Sequence, residues 1–155
     1  MLTAHADYRN QQSPEKRAND PACAPWERLL PIFRASNRAQ ADDIDNKLAM
    51  LGLRIEAGGQ PLILSDGEVK LLAEMEHGRF VVERLRAGWQ LGDRDANRGR
   101  SPYVGKTWEE LDKKERSWDI SAVETIAPAL ESFKYGVTGL VGRSSDSARH
   151  GSARC

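Results

Sequence analysis

The sequence has few of the residues that build disulfides, metal sites or membrane segments. Only two of its 155 residues are cysteines, Cys23 and Cys155, and neither falls in a CxxC or another metal-binding spacing. Two of its three histidines, His5 and His150, lie near the ends of the chain. No apolar run is long enough to cross a bilayer, and the polar residues 1–20 lack the apolar core of a signal peptide. We therefore expect a cytoplasmic protein with reduced thiols, no membrane contact, no metal and no cofactor.

The chain also lacks an excess of charge of either sign. Lysine and arginine total 23 and aspartate and glutamate total 23, so the formal net charge is zero. Binding to a nucleic-acid polymer needs surplus cations that replace the counterions of the phosphates. We therefore do not expect DNA or RNA as a partner. The length, with 39% hydrophobic and 30% charged residues, fits one soluble domain of modest core.

The longest helical pattern in the chain spans residues 65–92. Ser65 followed by Glu68 has the form of a capping box, in which each side chain satisfies a backbone donor that the helix start leaves free. Apolar residues at three- and four-residue spacing predict one buried stripe, made of Leu71, Met75, Val82, Leu85 and Trp89. A second stripe is predicted on nearly the opposite side, made of Ala73, Phe80 and Ala87. The helix is therefore predicted to be central and packed on two faces.

Polar residues occupy the flanks of this predicted helix. Glu76 and Glu83 lie on one flank, and His77 and Arg84 lie on the other. The members of each pair are seven residues apart, which places them two turns along the same face. Beside two buried faces, such side chains indicate either an internal polar network or the wall of a pocket.

The first half of the chain carries weaker local signals. Residues 25–30 predict a short helical turn opened by proline. A helix is predicted from Ile32 to Leu51, and Gly52 supplies the left-handed residue that ends it. Residues 53–55 alternate like a strand, and residues 61–64 are predicted to be its partner in a small hairpin.

The second half begins with a glycine-rich, charged loop at residues 92–106. Three pairs with capping-box spacing then predict three helix starts, namely Thr107 with Glu110, Asp112 with Glu115, and Ser121 with Glu124. Tyr135 and Val137 predict a terminal strand. Together the signals predict a mainly α fold with a few short β-strands, in the α+β class.

No catalytic or metal-binding constellation stands out. Glu76 beside His77 has the residue types of a base and its orienting group, but a lone Glu–His pair on a helix is more often a structural hydrogen-bond pair. One histidine without ligand-spaced partners does not make a zinc site. We therefore expect no catalytic residues and no enzymatic activity.

Two groups of residues are candidates for ligand binding. Ser36, Asn37 and Arg38 fall in the predicted first turn of the 32–51 helix, where they serve either as a solvated cap or as an anion site. The aromatic residues Trp89, Tyr103, Trp108 and Trp118 follow the central helix. They serve either as core packing or as a stacking surface for a planar ligand whose phosphates Arg84 or Arg38 would bind.

The order of residues from 68 to 138 resembles the Ryr domain, a module repeated in ryanodine receptors and found alone or fused in bacteria and phages. The resemblance is carried by Glu76-His77-x-Arg79-Phe80, Glu83-Arg84, Gly88-Trp89-x-x-Gly92, Pro102-Tyr103, Trp108-x-x-Leu111, Asp119 and the turn at Tyr135. An upstream segment, from Trp26 to Gly52, is similar to one that precedes the Ryr domain in bacterial proteins. The sequence departs from the bacterial pattern at Phe80, where tryptophan is usual, and at Ser101, where histidine is common.

The resemblance implies a compact, mainly helical module with no known catalytic activity. It implies one domain over residues 23–141, with an N-terminal helical segment at 23–64 and a Ryr core at 65–141. We expect a disordered leader at 1–22 and a disordered tail at 142–155.

Three functional hypotheses follow. The first is a non-catalytic module that senses or sequesters a small anionic ligand, a nucleotide or a nucleotide-derived signal. Its predicted binding residues are Asn37, Arg38, His77, Arg84, Trp89 and Tyr103. The alternative is a structural or protein-interaction module of a larger assembly, such as an ion-channel regulator, for which formation of a homo-oligomer is an indication. The third is a nucleotide hydrolase that uses Glu76 or Glu83 with His77.

Overall fold

The computed structural model of the protein describes His5 and residues 9–10, 12–95 and 98–140. The described chain contains six α-helices and two short strands, which confirms the mainly α, α+β class. The helices are α1 (Pro14–Asn19), α2 (Pro31–Asp42), α3 (Ile44–Met50), α4 (Asp66–Arg86), α5 (Lys113–Glu124) and α6 (Ile126–Ser132). The strands are β1 (Leu53–Ala57) and β2 (Tyr135–Gly139). Among these residues, no helix combines the length and apolarity needed to span a bilayer.

The long helix α4 begins where the capping box predicts. The Ser65 hydroxyl accepts a bond from the Glu68 backbone N–H at 3.4 Å, and the Glu68 carboxylate accepts one from the Ser65 N–H at 2.9 Å. The helix runs for 21 residues, and the chain leaves it through Gly88 at φ 80°. It packs most extensively against α5, so α4 is central as predicted.

The buried face of α4 is not the predicted apolar stripe. Leu71 is 42% exposed and Leu85 is 54% exposed, and Val82 is exposed to a similar extent. The buried residues are instead Leu72, Ala73, Glu76, His77 and Arg84. These also recur at helical spacing, but three of the five are polar. The first predicted stripe is therefore mostly wrong, and only its members Met75 and Trp89 are partly buried. The second predicted stripe is partly confirmed, because Ala73 is fully buried and Phe80 is half-buried, whereas Ala87 is exposed.

The two strands pair with each other although they lie far apart in the sequence. β1 and β2 are antiparallel, with Leu53 opposite Gly139 and Ile55 opposite Val137. The predicted terminal strand is confirmed, but the predicted hairpin of 53–55 with 61–64 is wrong. Residues 61–64 form no strand, since Pro61 has no backbone N–H to donate to a ladder.

The predicted helix from Ile32 to Leu51 is two helices, α2 and α3, separated by a turn at Asp43. Gly52 follows at φ 70°, which confirms it as the stop. Because α2 begins at Pro31, Ser36 to Arg38 lie in its second turn rather than its first. The free backbone N–H groups of a helix start are therefore not beside them, and the predicted placement of these residues in a first turn is wrong.

Of the three predicted helix starts in the C-terminal part, only one opens an α-helix, and Thr107 with Glu110 opens only a turn at residues 108–110. The capping box of Asp112 with Glu115 is present and opens α5, as predicted. Ser121 lies inside α5 and starts no helix, because the break comes four residues later at Thr125. The main apolar core gathers between α3, α4, α5, α6 and the strands, around Leu48, Leu72, Val123, Ile126 and Val137.

The N-terminal segment contains ordered structure where the sequence predicted a disordered leader. Ser13 caps α1 by accepting from the Lys16 N–H, and Asp20 caps a following 3₁₀ turn by accepting from the Ala22 N–H. Cys23 is fully buried, and the ring of His5 contacts the Ala24 carbonyl oxygen at 2.9 Å. Proline at the first position of each turn supplies the local reason. The predicted tail at 142–155 lies outside the described residues.

Candidate functional site

A cavity of about 240 Å³ lies between α2, α4 and α5. Asn37 lines it from α2, Phe80 and Arg84 from α4, and Trp118 from α5. Tyr103, from the 3₁₀ turn Pro102–Gly105, forms a further part of the wall. The long helix that organises the fold therefore also forms one side of the cavity.

Arg84 is a buried cation whose hydrogen bonds are incomplete. Its residue is 5% exposed, and its Nε and Nη1 atoms have no hydrogen-bond partner among the described residues. The guanidinium carbon lies 4.5 Å from the centre of the Trp89 ring, 4.9 Å from that of Phe80 and 5.3 Å from that of Phe33. Three aromatic faces therefore hold the cation in place, while the N–H groups on Nε and Nη1 have no acceptor among the described residues.

Burial lowers the pKa of Arg84, and the positive charges of Arg79 and Arg94 act in the same direction against the opposing effect of Glu83. An arginine nevertheless stays protonated in proteins. The cost of holding this charge out of water is therefore not relieved by loss of a proton. An anion bound in the cavity would relieve it.

The nearby carboxylates are occupied by other cations. Glu76 receives Lys47 Nζ at 2.9 Å, Arg79 Nη2 at 2.6 Å and Gln40 Nε2 at 3.1 Å. Glu83 receives Arg79 Nη1 at 2.6 Å and the Ser36 hydroxyl at 3.0 Å. One predicted flank of α4 is therefore an internal ion-pair network.

Arg79 forms ion pairs with both carboxylates of this network, Glu76 and Glu83. Burial lowers the pKa of Arg79, but its hydrogen bonds to Glu76 and Glu83 outweigh that effect and raise this pKa above its usual value. Arg79 and Arg84 differ in their ion-pair partners. Both arginines are on α4, and only Arg79 has carboxylate partners at hydrogen-bond distance.

His77 forms a second polar pair at the cavity wall. Its Nε2 lies 2.8 Å from the Lys106 carbonyl oxygen, so Nε2 must donate, and its Nδ1 lies 3.5 Å from Asp119 Oδ2. The interaction with Asp119 raises the pKa of His77, although burial opposes the rise. Burial also raises the pKa of Asp119, against the effect of His77. Both ring nitrogens of His77 therefore face partners within the protein.

Tyr103 adds a second unsatisfied polar group. Its hydroxyl is buried and has no hydrogen-bond partner among the described residues, and burial raises its pKa. Its ring centre lies 5.1 Å from that of Trp118 and 6.4 Å from that of Phe80. The cavity therefore combines an apolar aromatic wall with a neutral O–H group and a cation that lack partners.

The structure brings five of the six predicted binding residues to this cavity, namely Asn37, His77, Arg84, Trp89 and Tyr103. Arg38 is exposed and does not line it, because each residue turns 100° around α2 and Arg38 follows a residue that faces inward. The Asn37 amide nitrogen donates to the Phe33 carbonyl at 2.8 Å, so this nitrogen is already engaged. Trp89 contacts Arg84 rather than an open stacking surface.

Several lining residues were not predicted as site residues. Phe33 and Ser36 share the inward face of α2 with Asn37, so helical spacing could have found them. Asp119 and Trp118 come from α5, and only the packing of α5 on α4 places them at the cavity.

The N-terminal segment closes another part of the wall. His5 and Ala22 line the cavity, and Asp20 Oδ2 lies 2.8 Å from Nη2 of Arg94, which also lines it. Lys16 Nζ stands 5.8 Å from the centre of the Trp118 ring. No signal in the polar N-terminal sequence indicated this role.

The chain matches no family model, and it has no significant match among curated proteins or among solved structures. The resemblance to the Ryr domain therefore stays a prediction. A function for this protein has to be argued from the cavity and its unsatisfied groups.

Proposed function

We propose that the protein is a non-catalytic module of the cytoplasm that binds a small anionic ligand of the nucleotide class, which it senses or sequesters. The observation that carries the proposal is Arg84 at the wall of the cavity, a buried guanidinium whose Nε and Nη1 have no acceptor among the described residues. A buried N–H group without an acceptor costs about 1–3 kcal/mol, which only a bound acceptor would recover in full. A phosphate or carboxylate in the cavity would supply charge-assisted hydrogen bonds to this group.

The rest of the cavity supports a ligand with a flat apolar part. Phe80, Tyr103 and Trp118 provide aromatic surface, and the buried Tyr103 hydroxyl offers a hydrogen bond. The volume of about 240 Å³ is slightly below the range of about 300–1,000 Å³ that is usual for small-molecule sites. This size disfavours any enclosed ligand larger than a mononucleotide.

A thermal-shift screen with mono-, di- and cyclic nucleotides tests the proposal, followed by calorimetric titration of each compound that stabilises the protein. We expect Arg84→Ala to remove the stabilisation while the variant stays folded by circular dichroism. Arg38→Ala is the matched control, because Arg38 is an exposed arginine outside the cavity, and it should bind as the wild type does. If no nucleotide stabilises the folded wild-type protein, the proposal is wrong.

The alternative function, a structural or protein-interaction module, is favoured by a different observation. Leu71, Val82 and Leu85 leave a row of apolar side chains exposed on the outer side of α4. Light scattering coupled to size-exclusion chromatography tests whether this face joins copies of the chain. A dimer that Leu85→Lys dissociates would favour this function, and a monomer at all concentrations would count against the homo-oligomer.

A further inference from the structure

The cavity has two chemically different ends along α4. His77 and Arg84 both line it, and they are seven residues apart on the helix. At 1.5 Å per residue, their backbones are separated by about 10 Å along the helix axis. Phe80 lies between them on the same wall. A ligand that contacts Arg84 with an anionic group therefore directs its other end toward the His77–Asp119 pair.

Among the carboxylates of the cavity wall, Asp119 can still accept further hydrogen bonds. Glu115 accepts Lys106 Nζ on both oxygens, at 2.6 and 2.8 Å, and also accepts the Asp112 backbone N–H at 3.0 Å. Glu76 is filled by the two cations and the amide described above. Asp119 contacts His77 through Oδ2, and among the described residues no other side chain donates to it.

An ionised carboxylate has about four acceptor positions on its two oxygens. Asp119 repels a second anion, so the ligand group that meets it must be a hydrogen-bond donor. A flat ring that carries an N–H group satisfies Asp119 and packs against Phe80 and Trp118 at the same time. Amino-substituted nucleobases combine both properties.

We propose, on the basis of the proposed function, that the cavity selects nucleoside monophosphates whose base carries an exocyclic amino group. Asp119 accepts a hydrogen bond from this amino group, and Arg84 binds the phosphate at the opposite end. His77 is a positioning residue that holds the Asp119 carboxylate through Nδ1 while its Nε2 is anchored on the Lys106 carbonyl.

The test compares pairs of ligands that differ by one amino group. The pairs are adenosine monophosphate with purine riboside monophosphate, guanosine monophosphate with inosine monophosphate, and cytidine monophosphate with its 4-deamino analogue. Each is titrated by calorimetry into the full-length protein, into Asp119→Ala and into Arg38→Ala. Adenosine, guanosine and cytidine, which lack the phosphate, are titrated in parallel.

For the pair that binds best, we expect loss of the amino group to weaken binding to the wild type roughly 10- to 100-fold, as for a hydrogen bond to a charged acceptor. In Asp119→Ala the two members of the pair should bind within about twofold of each other, because the acceptor is gone. Arg38→Ala should keep the wild-type ratio. The ratio is measured within one variant, so a general loss of stability does not change it, and Asp119→Asn, which keeps a weaker neutral acceptor, should give an intermediate ratio.

The outcomes separate this inference from the proposed function. Phosphate-dependent binding with equal affinity for both members of every pair overturns the role of Asp119 and leaves the proposed function standing. An amino-group preference that persists in Asp119→Ala also overturns it. Absence of any phosphate-dependent binding removes the proposed function together with the inference that rests on it.

Discussion

Replacing Arg84 with methionine removes the buried guanidinium and keeps an unbranched side chain among the three aromatic rings. We expect the unliganded protein to become more stable while nucleotide binding is lost. The physical reason is that Nε and Nη1 of Arg84 have no acceptor in the part of the chain that the structure describes. Replacing buried charges by apolar residues of similar volume is often neutral or stabilising by about 1–4 kcal/mol.

The magnitude follows from opposing terms. Leaving Nε and Nη1 unsatisfied costs about 1–3 kcal/mol each, or about 2–6 kcal/mol together. The contacts of the cation with Phe33, Phe80 and Trp89 return about 0.5–2 kcal/mol each. These two sums nearly cancel, and the methionine sulfur regains about 0.3–1.5 kcal/mol for each aromatic contact. We therefore expect a net stabilisation of about 1 kcal/mol, which raises the Tm by about 2–4 °C in a chain of this size.

Urea and thermal unfolding of the wild type and of Arg84→Met, each with and without nucleotide, measure both effects. Arg86→Met is the matched control, because Arg86 is exposed two residues further along α4 and should change stability by less than about 0.5 kcal/mol. A loss of more than about 1 kcal/mol in unliganded Arg84→Met would refute the reasoning. It would mean that the cation is a structural part of the aromatic cluster rather than a group awaiting a ligand.

Three further predictions concern the pH dependence, the faces of α4 and the strand contact. The pKa of His77 is raised in the folded state, so its contribution to the free energy of unfolding is complete below its unfolded pKa of about 6.5 and is lost as the pH rises through its folded pKa. Urea unfolding across this pH window should show a decline in the free energy of unfolding, and His77→Gln should remove this decline. Leu72→Ala should lower the free energy of unfolding by about 2–5 kcal/mol, because Leu72 is fully buried. In the same urea assay, Leu71→Ala should lower it by less than about 1 kcal/mol, because Leu71 is half-exposed. Equal losses would mean that α4 presents another face to the core. Gly136→Ala should lower the Tm, with a loss of about 1–3 kcal/mol in the free energy of unfolding, since its new methyl group would collide with the carbonyl oxygens of Gly59 and Gln60. Gly67→Ala should not lower the Tm, because its methyl group meets no atom. An unchanged Tm in Gly136→Ala would contradict the close approach of β2 to Gly59 and Gln60.

Several features set by neighbours within about four residues could be predicted from the sequence, although the capping-box spacing at Ser121 opens no helix. The capping boxes at Ser65 and Asp112 open α4 and α5, and Gly52 ends α3, as expected. Each of these depends on a hydrogen bond or a backbone angle that only adjacent residues influence. The strand at β2 was also predicted, but its partner was not, because pairing with β1 joins segments about 80 residues apart.

The candidate site divides in the same way. Helical spacing alone places His77 and Arg84 on one side of α4, and both reach the cavity. The spacing does not show that Lys47 and Arg79 pair with Glu76, or that Arg79 and Ser36 pair with Glu83. It therefore does not show that Arg84 has no carboxylate partner among the described residues. Nor does it tell that Arg38 points outward or that α5 brings Asp119 to the far end. The sequence by itself determined which side chains share a helix face, because that depends on local geometry. Only the tertiary structure decided which of the charges are neutralised and which have no hydrogen-bond acceptor among the described residues, because pairing depends on residues that are far apart in the chain.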